Sequence, residues 1–299
     1  MLVRLILASL FVFSLGARAQ EPVKIGVLTD FDGAHAAASG RGALIAALMA
    51  AEDFGGKVLG RPIEVLQADH RNKPDVAVSL VGTWWLYGMD AVVDIANPAI
   101  APGVLDLAKQ QNRIAIVSGT ALAEPTPARC GPTVFQWNWD GFAAGSLPPE
   151  ALAINITDIH TQGLAKTEGK ELVEGFYWDR DDTTRAWAKR FQERTHSMPS
   201  QGQAGDYSAV THYLKAVAAA GTTEPKAVAA KMHALPVEDV FAHGGIVRAD
   251  GRMIHDMYRM RVKTPAESKA AWDYYTILET VPGASAFRPL EADACKQPG

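Results

Sequence analysis

The chain has only two cysteines, no block of basic residues and, after its first twenty residues, no long apolar run. Each shortage closes a class of function. Cys130 and Cys295 are too few for a zinc site, which needs three or four protein ligands. The eight histidines include no pair at metal-ligand spacing, so surface or core roles are their ordinary reading. Asp179, Asp181 and Asp182 lack the glycine and terminal glutamate of a calcium loop, and read as a helix-capping acidic loop. The net charge is −4, and aromatics do not alternate with lysine or arginine. That balance argues against nucleic acid and anionic membrane surfaces as partners. Nucleotide, zinc-protease and serine-hydrolase motifs are missing. No nucleophile–base pair or metal set can be named, so an enzyme is disfavoured and no cofactor is expected.

What is there begins at the N-terminus. Residues 1–4 carry one positive charge, residues 5–15 are nearly all apolar, and Ala17-Arg18-Ala19 offers a small-residue cleavage site before Gln20. This layout predicts a secretory signal peptide over residues 1–19. The apolar run is shorter than the roughly 20 residues a bilayer span requires. No cysteine stands at the cleavage point, so no lipid anchor is expected. Without Arg4 and Arg18 the charge becomes −6. An exported chain with two cysteines reads as carrying one disulfide, Cys130 to Cys295, the alternative being two unpaired thiols.

From Val23 onward, short apolar stretches alternate with helical ones. Strands are expected at 23–28, 63–68, 91–95 and 114–117, and helices at 42–54, 74–87 and 101–111. Continuous apolar strands between helices predict an α/β fold with a doubly wound parallel sheet. The pattern then loosens. Strands are expected at 151–156, 172–176 and 274–278, and helices at 183–195, 208–219 and 225–234. Asp250-Gly251 suits a hairpin turn between 245–247 and 253–262.

Ligands of open parallel sheets bind beyond the carboxyl ends of the strands. Four loops lie there: Thr29 to Gly33 with Phe31, Asp69 to Asn72, Asn97-Pro98-Ala99, and Ser118-Gly119-Thr120-Ala121-Leu122. The last two suit a carboxylate, through small residues, hydroxyl donors and a helix start. Turn and cap chemistry explains Asn97 and Ser118 equally well.

Three blocks give the chain a family likeness. They are residues 23–30, residues 116–121 running on to Cys130 and Trp137, and a tail holding Gly251-Arg252-Met253-Ile254-His255-Asp256-Met257-Tyr258, Lys263-Thr264-Pro265-Ala266-Glu267-Ser268-Lys269 and Trp272-Asp273-Tyr274-Tyr275. Glu174-Gly175-Phe176-Tyr177-Trp178-Asp179 and Gly205-Asp206-Tyr207-Ser208-Ala209 match as well. On these the chain resembles the solute-binding proteins of branched-chain amino acid type ABC transporters, of the leucine/isoleucine/valine-binding family. The resemblance implies a type I periplasmic binding fold, with two lobes closing on a small carboxylate solute. It implies delivery to an ABC transporter permease in the inner membrane. It places the carboxylate at Asn97, Pro98 and Ala99 and at Ser118 to Leu122, with Tyr177, Trp178 and Tyr207 in cleft or hinge segments. Leu122 stands close to the place where such proteins usually have a hydroxyl, which tilts slightly toward a less polar acid.

The expected organisation is a signal peptide over 1–19, a first lobe over 20–140, a second lobe over 141–240 and a returning segment over 241–299. The second lobe departs from the family. Only residues 141–151 stand where its members carry several elements, and one βαβ unit alone takes about 30 residues. A truncated second lobe leaves sheet edges, so a monomer is expected unless those edges pair. A ligand sensor using the same cleft and a non-binding remnant are the competing readings.

Overall fold

The computed structural model describes residues 21–122, 130–139, 142 and 154–290. The expected signal peptide, Cys295 and most of the short 141–151 junction lie outside the described residues.

Buried apolar strands build the first sheet. They are β1 Val23–Thr29, β2 Lys57–Val58, β3 Arg61–Asp69, β4 Ala91–Asp94, β5 Ile114–Val117 and β6 Val134–Gln136. Their order is β2-β3-β1-β4-β5-β6, parallel apart from the β2–β3 pair. Burial on both faces explains why β4 and β5 have no polar alternation. Helices α1 Gly40–Asp53, α2 Pro74–Leu86 and α3 Ala101–Gln111 link them as the sequence predicts. α2 and α3 cover one face of the sheet and α1 the other. Gly26 is required where it stands: a Cβ there would lie 2.6 Å from the Trp84 ring of α2.

The second half contains α4 Ile156–Gln162, α5 Leu164–Thr167, β7 Glu171–Glu174, α6 Asp182–Thr195, α7 Gln201–Ala220 and α8 Pro225–Ala234. It ends with β8 Ile246–Val247, β9 Met253–Ile254, β10 Met257–Val262, β11 Tyr275–Val281 and α9 Gly283–Ala286. β11, β10 and β7 form a second, antiparallel sheet in that order. Asp181 caps α6 as expected, accepting from the Thr184 amide at 2.8 Å.

Three sequence expectations change. The strand expected over 151–156 gives way to α4 at its described end. Asn155 accepts from the Thr157 amide, and Asp158 accepts from the Asn155 amide, so a capping box outweighs the apolar run. The helix expected from 208 starts at Gln201. Ser200 and Gln203 cap it reciprocally, a Ser-x-x-Gln signal hidden among small residues. The long strand expected over 253–262 breaks at His255-Asp256. β9 stays with β8, joined to the first sheet by the Gln136 amide donating to the Gly251 carbonyl at 2.9 Å. β10 instead pairs with β7, so only part of the C-terminal segment returns to the first sheet. α7, expected in the second lobe, packs against α1 and β4. No helix among the described residues is long and apolar enough to cross a membrane.

Candidate functional site

The strand-end loops form at the carboxyl ends of β4 and β5, but the side-chain polar atoms of Ser118 and Asn97 are already engaged. Ser118 is fully buried. Its hydroxyl donates to the Asp206 carboxyl of α7 at 2.5 Å and accepts from the Asp94 amide at 3.0 Å. The amides of Ser118 and Gly119 both donate to the Asp94 carbonyl, at 3.1 and 2.8 Å. Ser39 donates to the Asp94 carboxyl at 2.5 Å. Burial pushes both carboxyls well above the usual carboxylate range, and the charge of Asp94 raises Asp206 further. A carboxyl of the chain thus takes the hydroxyl expected to serve a solute. Asp206 was legible only as part of a family block; the Ser200–Gln203 cap is the signal that could have put it on a helix pointing at the sheet.

Asn97 follows its turn reading. Its Nδ2 donates to Asn72 at 2.7 Å and its Oδ1 accepts from the Ala99 amide at 2.8 Å. Asn72 in turn donates to Asp30 at 2.8 Å. Pro98 and Ala99 are exposed, Ala121 is half-buried, and Leu122 is buried in the core beneath α2 and α3. Thr120 is nearly buried, its hydroxyl 3.4 Å from the Ala121 carbonyl.

The second-half residues bond to other partners. Tyr177 is buried against Tyr275, with ring centroids 5.1 Å apart, and its hydroxyl accepts from the Tyr275 amide. Burial raises its phenol above the ordinary value. The Trp178 indole donates to the Trp272 carbonyl at 2.9 Å. Tyr207 sits on α7 and donates to Asp53 of α1 at 2.9 Å.

A cavity of about 630 Å³ opens between α1, α4, the C-terminal end of α6 and the loop before β11. Phe31 lines it, together with Arg41, His160, Phe191, Arg194 and Trp272. Residues 97–99 and 118–122 do not. Its wall contains no aspartate or glutamate among the described residues. Arg194 is held by Glu52 through two bonds of 3.0 and 2.6 Å, and Arg190 by Asp53 at 3.1 and 2.6 Å, which fastens α6 to α1. The Arg41 guanidinium stands 5.8 Å from the Phe31 ring centroid. His160 stacks on Trp272 at 3.8 Å and 7°, and its Nδ1 lies 2.8 Å from the Tyr274 hydroxyl. Trp272 has φ 70°, a region that bulky side chains avoid. Sequence reasoning passed over Arg41, His160 and Trp272, because no spacing along the chain relates residues from a first helix, a short helix and a distant loop.

None of the curated proteins compared with the chain matches it. A sequence profile for periplasmic binding proteins matches residues 22–146 and again 141–270. The two stretches meet at the short junction. Among solved structures, a periplasmic binding protein from Burkholderia mallei is 31% identical, with 89% of this chain and 96% of that one covered and a TM-score of 0.84. A branched chain amino acid ABC transporter periplasmic ligand-binding protein from Burkholderia xenovorans is 26% identical, with coverage of 91% and 99% and a TM-score of 0.86. An amino acid ABC transporter substrate-binding protein from Pseudomonas fluorescens shares the fold, at 16% identity, coverage of 93% and 100%, and a TM-score of 0.80. Its α/β architecture is that of the type I periplasmic binding proteins, and the chain belongs to the periplasmic binding protein family.

Proposed function

We propose that the chain is the extracytoplasmic solute-binding component of an ABC uptake transporter, carrying a small carboxylate solute to an inner-membrane permease. Family membership supports the receptor role. The observation that carries the carboxylate is the cavity between the first sheet's α1 and the second-sheet segments, with arginines and no acid in its described wall. Export fits the signal-like residues 1–19, and a Cys130–Cys295 bridge fits an oxidising compartment. Two places could receive the carboxylate: the strand-end loops at 97–99 and 118–122, or the cavity behind Phe31.

A second reading, a remnant that binds nothing, has its own support. The family profile is split at the junction, and the side chains of Asn97 and Ser118 bond within the chain itself. Binding of a ligand to the folded state raises thermal stability by mass action. A panel of amino acids and aryl carboxylates, tested by thermal shift on the mature chain, separates the two. At a concentration of 100 Kd the gain is about 2.7 kcal/mol. A panel without any stabilising carboxylate would favour the remnant.

A further inference from the structure

We propose that Asp94 and Asp206 form a proton-held latch between the end of β4 and the start of α7, closed over Ser118, and that loss of its protons frees the first turns of α7 from the strand-end loop. The latch does not depend on the receptor reading, which its failure would leave untouched.

Both carboxyls are fully buried, and neither meets a cation among the described residues. Hydroxyls are their side-chain donors. Ser39 donates to Asp94 and Ser118 to Asp206, each at 2.5 Å, and Thr29 stands beside Asp94. The remaining oxygens, Asp94 Oδ1 and Asp206 Oδ2, are buried without a hydrogen-bond partner. Two neighbouring carboxyls stripped of water and counter-charge do not both stay ionised. A proton on a free oxygen removes the charge. The further charged group that acts on Asp94 is Asp30, after β1, which is another acid. Asp206 lies in the second turn of α7, past the reach of the helix dipole that favours a carboxylate. Two more acids bond the start of α7, Asp239 through Ser208 at 2.7 Å and Asp53 through Tyr207 at 2.9 Å.

The surroundings hold the latch tightly. Ser118 accepts from the Asp94 amide at 3.0 Å while it donates to Asp206, so one hydroxyl joins strand and helix. A Cβ on Gly119 would collide with the Asp94 carboxyl. Asp94 and Ile95 both hold left-handed backbone, at φ 71° and 55°. For a β-branched residue that region is an outlier. Strain of this kind persists where surrounding contacts over-determine it, and it clusters at switch regions. Opening the latch removes one of those contacts.

Burial pushes the Asp94 carboxyl up to about 7, and burial with the Asp94 charge raises Asp206 well above the usual range. In water both return toward 3.8. The latched form therefore keeps protons that the open form has lost. Opening becomes about tenfold easier per pH unit for each proton released. The part from Asp94 runs from 3.8 to about 7, and the part from Asp206 continues higher.

Two measurements on the mature protein test the latch. Infrared difference spectra against folded Asp206→Asn at pH 6 read the proton, and the parent is expected to show a protonated-carboxyl band that the variant lacks. Hydrogen exchange by mass spectrometry from pH 5 to 8, corrected for the intrinsic rate, reads the opening. Amides of residues 205–210 in the parent are expected to lose protection by about tenfold or more per pH unit. By pH 8 they should be about tenfold or more less protected than those of α3, which packs on the opposite face of the sheet. In Asp206→Asn the loss per pH unit is expected to shrink by about tenfold, because one proton fewer is released. Asp239 and Asp53 are the same in both proteins, so the difference belongs to the pair. Asp94→Asn serves the same comparison should Asp206→Asn not fold. A missing band, protection that does not change with pH, or α7 and α3 reaching equal protection at pH 8 would overturn the latch.

Discussion

Buried ionisable residues govern the response to pH. Glu174 on β7 is fully buried, and burial pushes its carboxyl up to about 8 against the bond donated by Tyr275 at 3.1 Å. Asp94 and Asp206 shift in the same direction for the same reason. A raised carboxyl favours the folded state when protonated. Its contribution is therefore present at low pH and is lost as pH rises from the unfolded value of 4.5 through about 8 for Glu174. The melting temperature is expected to fall across that window. Glu174→Gln, which has no proton to lose, should flatten the slope and melt higher than the parent near pH 9. Parallel melting curves for both proteins from pH 5 to 9 would count against this account of Glu174.

Capping decides where the second-half helices begin, and the start of α7 matters most. The Ser200 hydroxyl accepts from the Gln203 amide at 3.1 Å and donates to the Ala38 carbonyl at 2.5 Å, tying α7 to the loop that leads into α1. Gln203 adds bonds from its Nε2 to the carbonyls of Ala37 and Ser39. This junction sets the height of Asp206 against Ser118 and the position of Phe31 beside the cavity. Ser200→Ala is expected to cost about 1–2 kcal/mol, the upper part of the range for a lost cap, because a tertiary bond goes with it. Chemical denaturation would measure it, and a loss under about 0.3 kcal/mol would mean that Gln203 holds the junction without Ser200. The arginine pairs from α6 to Glu52 and Asp53 are half-exposed and contribute less, each about 0–1 kcal/mol.

At the scale of the molecule, the proposed disulfide and the edges of the second sheet bear on stability and assembly. The proposed Cys130–Cys295 bridge would close a loop of more than half the chain. In the chain-entropy model such a closure contributes about 5 kcal/mol. Alkylation of the unreduced protein is expected to label no cysteine, and reductant to lower the melting temperature by several degrees. Labelling of both thiols before reduction would remove the bridge from the proposal. β7 and β11 are the outer strands of the second sheet as described. If the junction leaves either edge uncovered, light scattering at rising concentration would detect pairing of two chains.

The alternation of apolar strands and helices was readable because burial on both faces of a parallel sheet imposes it residue by residue. That is why residues 101–111 and 114–117 form α3 and β5 as the pattern indicates. The Asp181 cap and the Asp-Gly hairpin were readable because they act within a few positions of the chain. The tertiary structure decided what distant residues do to one another. Ser118 and Asn97 have the chemistry to hold a carboxylate, yet which partner satisfies them depends on where α7 and Asn72 fall in space. Arg41, His160 and Trp272 acquire a common cavity only when α1, α4 and the loop before β11 converge. Local rules act through neighbours in sequence, whereas a binding site is a meeting of residues that only the packed fold brings together.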